Sequence, residues 1–177
     1  MSCPLLRWAG GIAAGFGLAG ATIACNAPTG GLSFEPITGP DFVEFAASSG
    51  GVHTFLERRC GTLDCHGQTG RPFHLFSTGG LRLPNDAGIV SGLGSDTPEE
   101  IYANYQALVG LQPEETTLVV KGIDPPTALL IVAKPLALQT HKGGAVLAVG
   151  DPGDLCLESW LTGHIDLMAC TQATAVP

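Results

Sequence analysis

Short segments of the chain repeat apolar residues with the period of an α-helix, which predicts a mainly helical fold. Phe42 and Phe45 belong to the first segment, and Asp41 is expected to cap it. Residues 48–51, which read Ser-Ser-Gly-Gly, separate this segment from a second helix that runs into Cys60. The pattern therefore predicts two successive helices between residues 41 and 60.

The strongest helix start lies at residues 96–100, which read Asp-Thr-Pro-Glu-Glu. They offer a capping side chain, a proline in the first turn and acids at the positive end of the helix dipole. Ile101, Tyr105 and Leu108 then share one face, and Gly110 ends the helix. A similar start at residues 151–154 predicts a last helix that ends at residue 163.

The intervening segments carry weaker signals. Residues 73–83 contain spaced apolar residues interrupted by Gly79-Gly80 and predict short strands or plain coil, and residues 86–96 form a Gly- and Ser-rich loop. Residues 118–120 favour a strand fragment, whereas residues 127–134 fit a short helix or a buried strand equally well. We expect a small, mainly α domain with long Gly/Pro-rich loops and a few short strands.

The first residues have the pattern of a signal for export. Arg7 is the only charged residue in the first 34, and residues 8–24 are apolar or small. A basic start followed by a short apolar run is typical of a secretory signal peptide, predicted here at residues 1–24. Residues 25–40 are rich in Pro, Gly, Ser and Thr and predict a flexible tether. The domain is expected at residues 41–177.

Cys25 ends the run Ala-Thr-Ile-Ala-Cys. This run resembles the lipobox of bacterial lipoproteins, in which the cysteine is lipidated and becomes the mature N-terminus. The resemblance implies an exported protein with a lipid anchor at Cys25, in the periplasm or at the outer membrane. The alternative is cleavage near Ala24 or Ala27 by an ordinary signal peptidase, which would release a protein without a lipid.

Charge and composition limit the partners. The chain has 8 basic and 16 acidic side chains and a net charge of −8, which argues against a nucleic-acid ligand. An acidic surface suits basic partner proteins. Aromatic residues make up only 6%, while the chain has 25 Gly and 13 Pro, so the core is expected to contain few large side chains.

Cys60, Cys65 and His66 form the motif that carries the most chemistry. They stand in the spacing C-x-x-x-x-C-H, two residues longer than the C-x-x-C-H that attaches haem c. In that motif the two thiols bond to the haem and the histidine ligates the iron. The two extra residues require a bulge, and Gly61 is expected to allow it through its wide choice of φ and ψ.

The second half of the chain contains three further segments in a fixed order. They are Leu-Leu to Lys-Pro at 129–135, His-Lys-Gly-Gly at 141–144 and a terminal Trp160-Leu-Thr-Gly. Together with Cys65-His66-Gly67, this order resembles a family of cytochrome c-like domains in exported bacterial proteins, over about residues 50–170. The resemblance implies one covalent haem c at Cys60, Cys65 and His66, and electron transfer to redox partner proteins in the envelope without enzymatic activity.

The second axial ligand of such a haem is Met or His. His141 lies in the segment that resembles the family's His-Gly-Gly and is the favoured ligand, with Met168 as the alternative. His53, His74 and His164 are further candidates, although a solvated or capping histidine is the more common state.

Cysteine pairing leaves alternatives open. Removal of Cys3 with the signal and lipidation of Cys25 would leave four cysteines, which allow three connectivities. If haem takes Cys60 and Cys65, the remaining disulfide joins Cys156 and Cys170. Otherwise, two disulfides would brace a structural or binding envelope lipoprotein without haem.

Other chemistry finds less support. A zinc site built from Cys60, Cys65, His66 and His74 is the rival metal hypothesis. Arg58 and Arg59 are candidate partners of haem propionates, or solvated charges at a helix end. The common hydrolase and nucleotide-binding motifs do not occur in the chain.

Overall fold

The computed structural model describes residues 35–85, 87–92 and 94–175. The predicted signal peptide at residues 1–24, the lipidation candidate Cys25 and the tether as far as residue 34 lie outside the described residues.

Seven α-helices make up most of the regular structure in the described residues, which confirms the mainly α prediction. One 3-10 turn, Pro126–Ala128, precedes α5, and the β pairing in the described ranges is a bridge between Pro84 and Val90. The helices are α1 Phe42–Phe45, α2 Val52–Cys60, α3 Pro98–Val109, α4 Pro113–Val120, α5 Leu130–Ala133, α6 Pro152–Leu161 and α7 Leu167–Ala175.

Side-chain caps begin three of the helices where the sequence predicted helix starts. Asp41 and Asp151 each accept a hydrogen bond of 2.8 Å from the backbone N–H three residues further on. Thr97 and Glu100 form a capping box, in which each side chain accepts from the backbone N–H of the other. These caps satisfy N–H groups that have no partner inside a helix.

Three expectations about local structure were wrong or incomplete. Residues 118–120 are not a strand but the end of α4. Thr116, Thr117 and Val119 are buried there, so packing outweighs the low helix propensity of β-branched residues. Residues 130–133 are helical, which decides between the two predictions for that segment. The helix at residues 152–161 is not the last one, because α7 follows it.

Helix α7 is joined covalently to α6. Cys156 and Cys170, both fully buried, form a disulfide with an S–S distance of 2.04 Å. This is one of the pairings that the sequence allows, and it leaves Cys60 and Cys65 free. A loop of this length constrains the unfolded chain by about 3 kcal/mol on the loop-entropy model.

The core is built around α2. Val52, Phe55 and Leu56 on this helix are each at most 1% exposed, and α2 contacts α1, α3, α6 and α7. Trp160 of α6 is fully buried, its ring centre lies 5.3 Å from that of Phe45, and its indole N–H donates to the carbonyl of Asp41 at 2.8 Å. The core is thus formed by the apolar faces of short helices and contains few aromatic side chains.

Residues 36–40 belong to the same compact unit as the helices, which begins at Pro36. The backbone N–H of Thr38 donates to Thr117 Oγ1 at 3.0 Å, and the hydroxyl of Tyr105 donates to the carbonyl of Pro40 at 2.8 Å. No helix in the described ranges is long and apolar enough to cross a membrane.

A buried ion pair attaches the coil after residue 80 to α3. Arg82 donates to both carboxylate oxygens of Glu100, at 2.7 and 2.6 Å, and Leu83 N–H donates to the same carboxylate at 2.8 Å. Burial opposes the charge of Glu100, but the hydrogen bonds from Arg82, Thr97 and Leu83 outweigh it and lower its pKa to about 2.

Replacement of Glu100 by Gln should therefore destabilise the protein in a pH-dependent way. The lowered pKa contributes stability above the unfolded value of 4.5 and loses it as the pH falls toward about 2. We expect a loss of about 3 kcal/mol near pH 7, because Arg82 would be left buried without its partner. Urea unfolding across this pH range measures the difference, which should shrink in acid.

The exposed neighbour provides the control. Glu99→Gln should leave the free energy of unfolding within about 0.5 kcal/mol of the wild type. A deficit for Glu100→Gln that is as large at pH 3 as at pH 7 would contradict this origin of the stability.

Candidate functional site

The segment from Cys60 to His66 is a closed turn at the C-terminal end of α2. The His66 N–H donates to the carbonyl of Cys60 at 2.9 Å, and two bonds to the carbonyl of Thr62, from Cys65 and Gly67, close the inside of the turn. The longer spacing between the two cysteines is therefore accommodated as a turn that returns His66 to the helix end.

Three glycines allow this turn to pack against its surroundings. A Cβ added at Gly67 or Gly80 would overlap the carbonyl oxygen of Gly61, and a Cβ at Gly61 would lie 2.6 Å from the carbonyl of Glu57. Gly61 itself has φ −81° and ψ 10°, so its expected role was wrong in one respect. Close approach of backbone and of Ser77 requires a glycine there, not an unusual φ.

The ring of His66 is held by its Nδ1 atom. Nδ1 lies 2.8 Å from the carbonyl of Phe73, which makes Nδ1–H the donor and leaves Nε2 with the lone pair. Burial is the largest cause that lowers the pKa of His66, and nearby His141, Arg71 and Lys134 lower it further against the opposing bond to Phe73. The imidazole is consequently neutral near pH 7, which is the form that ligates metals.

His141 is oriented in the same manner. Its Nδ1 lies 2.8 Å from the carbonyl of Gly144, a residue with φ +74° that folds the backbone over the ring. The rings of His66 and His141 have centres 6.2 Å apart and planes inclined by 6°. Two imidazoles, each with Nδ1 against a backbone carbonyl, thus lie parallel to each other although they come from distant segments of the chain.

Two basic residues at the end of α2 contact backbone carbonyls. Arg59 donates to the carbonyl of Val146 at 3.1 Å, which ties the helix end to the loop that carries His141. Arg58 donates to the carbonyl of Thr174 in α7 at 3.5 Å. Lys134 donates to the carbonyl of Thr140 at 3.4 Å, on the other side of His141.

Cys60 and Cys65 are both free thiols and half-buried. Burial, helped by the neighbouring Cys65, raises the pKa of the Cys60 thiol to about 12, and Arg59 acts weakly in the other direction. Cys60 is thus a neutral thiol at physiological pH, with little thiolate to react with electrophiles.

The other candidates for the second iron ligand are either exposed or make different contacts from those of His141. Met168 is on α7 with 71% of its surface exposed, and His164 is exposed. His74 is near His66 and stacks edge-on against Phe76 at 4.6 Å, and its buried Nε2 has no hydrogen-bond partner in the described residues.

A cluster of possible metal ligands that the sequence did not predict lies toward the N-terminal end of α2. His53, Glu57 and Asp96 bring three ligand atoms within 4.8 Å of one another, whereas the rival zinc set of Cys60, Cys65, His66 and His74 forms no such group in the described residues. Burial, with Glu57 and Glu100, raises the pKa of Asp96 to about 7. The spacing of His53 and Glu57, four residues apart on one helix, was the available signal.

Comparisons with family models, curated proteins and solved structures find no match for this chain.

The protonated state of Cys60 leads to a labelling prediction. In reduced, haem-free protein at pH 8, we expect iodoacetamide to modify Cys60 at least tenfold more slowly than in protein unfolded by urea, because burial suppresses the thiolate. Peptide mass spectrometry at timed intervals measures the rate. The exposed variant Leu63→Cys supplies a fast-reacting thiol in the same turn as the control, and equal rates at Cys60 and that thiol would contradict the prediction.

Proposed function

We propose that the chain is an exported protein that carries one covalent haem c and transfers single electrons in the cell envelope. The observation that carries the proposal is the parallel arrangement of His66 and His141 at a ring spacing of 6.2 Å beside two free cysteines. This arrangement joins two segments that are 75 residues apart in the chain.

The side chains at the site fit the group. Cys60 and Cys65 are available as thiols, because neither is in a disulfide. The carbonyl of Phe73 fixes the tautomer of His66 so that Nε2 faces outward from the bond, as metal-bound histidines commonly do. The turn in which all three residues lie is rigidly packed by its glycines, so the two thiols and the ring keep their relative positions.

His141 would be the better second ligand of the iron. The carbonyl of Gly144 holds it in the same tautomer as His66, so both rings present Nε2. Met168 is 71% exposed on α7 and has no comparable orientation. Two histidine ligands give a lower reduction potential than a histidine and a methionine.

The chain's own residues would bind, orient and insulate the cofactor, and the haem supplies the one-electron couple. His66 is neutral near pH 7 and needs no deprotonation to ligate iron. The net charge of −8 suits a basic electron donor or acceptor and would make association faster at low salt. This proposal includes no bond chemistry on a substrate.

Export and anchoring are part of the same proposal. The apolar run at residues 8–24 would direct secretion, and Cys25 would carry the lipid that anchors the protein in the envelope. The protein would then lie in the periplasm or at the outer membrane. The disulfide between Cys156 and Cys170 suits an oxidising compartment.

Haem attachment is tested by mass spectrometry and a visible spectrum of protein exported from a host that matures cytochromes c. The wild type should gain the mass of one haem and show a reduced α-band. Cys65→Ser should lose one covalent bond to the haem, and Cys60→Ser/Cys65→Ser should lose the haem from the denatured protein altogether. Leu63→Ala, in the same turn but with an exposed side chain, is the matched control and should retain it.

An unmodified mass and no visible absorbance in the wild type would sink the proposal. A mass lower by four hydrogens would then indicate two disulfides and favour the structural or binding envelope lipoprotein. A mass lower by two hydrogens would leave Cys60 and Cys65 as free thiols.

The axial ligand gives a separate prediction. His141→Met should raise the midpoint potential, because Met at the sixth position stabilises ferrous haem, and His141→Ala should open that position to exogenous ligands such as imidazole. Potentiometric titration followed by absorbance measures both changes. Met168→Leu and His164→Ala are the controls, and a spectrum altered by Met168→Leu but unaltered by His141→Ala would reverse the assignment.

A further inference from the structure

A second cluster of chemically active side chains lies at the other end of α2, about 10 Å along the helix from Cys60. His53 and Glu57 are one helical turn apart, and Asp96 meets them from the coil that precedes α3. His53 is 5% exposed, and the side chain of Asp96 is 3% exposed. Their ligand atoms and that of Glu57 all lie within 4.8 Å of one another.

The protonation of His53 is set by Asn104. The backbone of Phe76 fixes the amide of Asn104, because Phe76 N–H donates to Oδ1 and Nδ2 donates to the Phe76 carbonyl, each at 2.7 Å. Nδ2 then points its second N–H at His53 Nε2, 3.0 Å away. The Nε2 atom therefore carries a lone pair and not a proton in this arrangement.

Asp96 also lies close to His53 Nε2. Its Oδ2 atom lies 3.3 Å from His53 Nε2, and neither of its buried oxygens has a hydrogen-bond partner in the described residues. Two acceptors this close to each other repel unless a proton or a metal ion lies between them. A buried carboxylate without a partner is also costly, because it has left the hydration that stabilises its charge.

Arg82, the nearby cation, does not compensate the buried charge of Asp96. It donates two short hydrogen bonds to the carboxylate of Glu100 and its remaining N–H groups to the carbonyls of Gly92, Gly94 and Ser95. Its closest approach to Asp96 is 3.9 Å. The cluster thus contains three carboxylates, of Glu57, Asp96 and Glu100, against one guanidinium.

We propose that His53, Glu57 and Asp96 bind a divalent first-row transition-metal ion. One imidazole nitrogen and two carboxylates form a mixed N/O donor set, which suits Mn²⁺, Fe²⁺ or Zn²⁺ better than the all-oxygen sites of Ca²⁺. Ligand atoms bonded to one ion at about 2.1 Å are about 3.0 to 4.2 Å apart, so the widest pair in this cluster, at up to 4.8 Å, would have to close by about 0.6 Å or more. An ion bound at Nε2 would take the place of the Asn104 contact, so Nδ2 of Asn104 would have to move away from Nε2 and give up its bond to the Phe76 carbonyl.

The role that follows is structural. Glu57 also accepts from the N–H and hydroxyl of Thr78, at 3.2 and 2.6 Å. A bound ion would connect α2 through these contacts to the coil on both sides of Arg82 and to the start of α3. Binding to the folded protein alone would stabilise it in proportion to the logarithm of the free ion concentration.

The test uses Mn²⁺, because manganese favours carboxylate and imidazole over the thiols of Cys60 and Cys65. The full-length protein, freed of metals with a chelator and dialysed, is titrated with Mn²⁺, and free ion is measured by electron paramagnetic resonance. One site per chain is expected. Asp96→Asn, which keeps the shape of the side chain, and Glu57→Gln should each weaken binding by at least about tenfold.

Controls separate this site from the proposed haem site. His141→Gln and Cys65→Ser should leave the Mn²⁺ affinity unchanged, whether or not haem is attached, so failure of one proposal does not affect the other. Sub-stoichiometric Mn²⁺ should broaden the NMR signals of the Asn104 side-chain amide before those of Gly144.

Three results would overturn the metal site. They are no binding by the wild type at millimolar Mn²⁺, binding that persists in both Asp96→Asn and Glu57→Gln, or binding that is lost in His141→Gln. The first result would assign the space between His53 and Asp96 to a shared proton instead of a metal ion.

Discussion

Burial of helix α2 is the constraint on which the rest of the structure depends. Val52, Phe55 and Leu56 are at most 1% exposed, and the helix contacts α1, α3, α6 and α7. A helix of nine residues is marginal by itself, so this packing is what holds it. The buried apolar face of α2 therefore fixes the positions of Cys60 at one end of the helix and His53 at the other, although neither side chain has to be apolar.

The coil around the helix end is ordered by backbone packing instead of by side chains. Gly61, Gly67 and Gly80 approach one another too closely for any Cβ, and hydrogen bonds from Leu75 and Leu81 attach the following coil to His66 and Gly67. This is how a chain with few aromatic residues keeps a long irregular segment in one conformation. The same packing places His66 beside the loop that contains His141, and no regular secondary structure in the described residues is needed to hold the two together.

Two charge environments lie along the same helix. Near Cys60 the buried groups are neutral, with a thiol whose pKa is about 12 and an imidazole whose pKa is lowered by burial. Near His53 three carboxylates surround one guanidinium, and Glu100 alone gains enough hydrogen bonds to lower its pKa to about 2. The first environment suits a cofactor attached through neutral ligands, and the second suits a cation.

The sequence by itself determined the mainly α fold, three of the helix caps and the motif at Cys60, because caps, prolines and helical periods act over a few residues. It misassigned residues 118–120 and did not predict α7, since burial by distant segments overrides weak local propensity. Only the tertiary structure decided which side chains meet. The pairing of His66 with His141 and the gathering of Asp96 onto α2 depend on loop paths that no local pattern encodes.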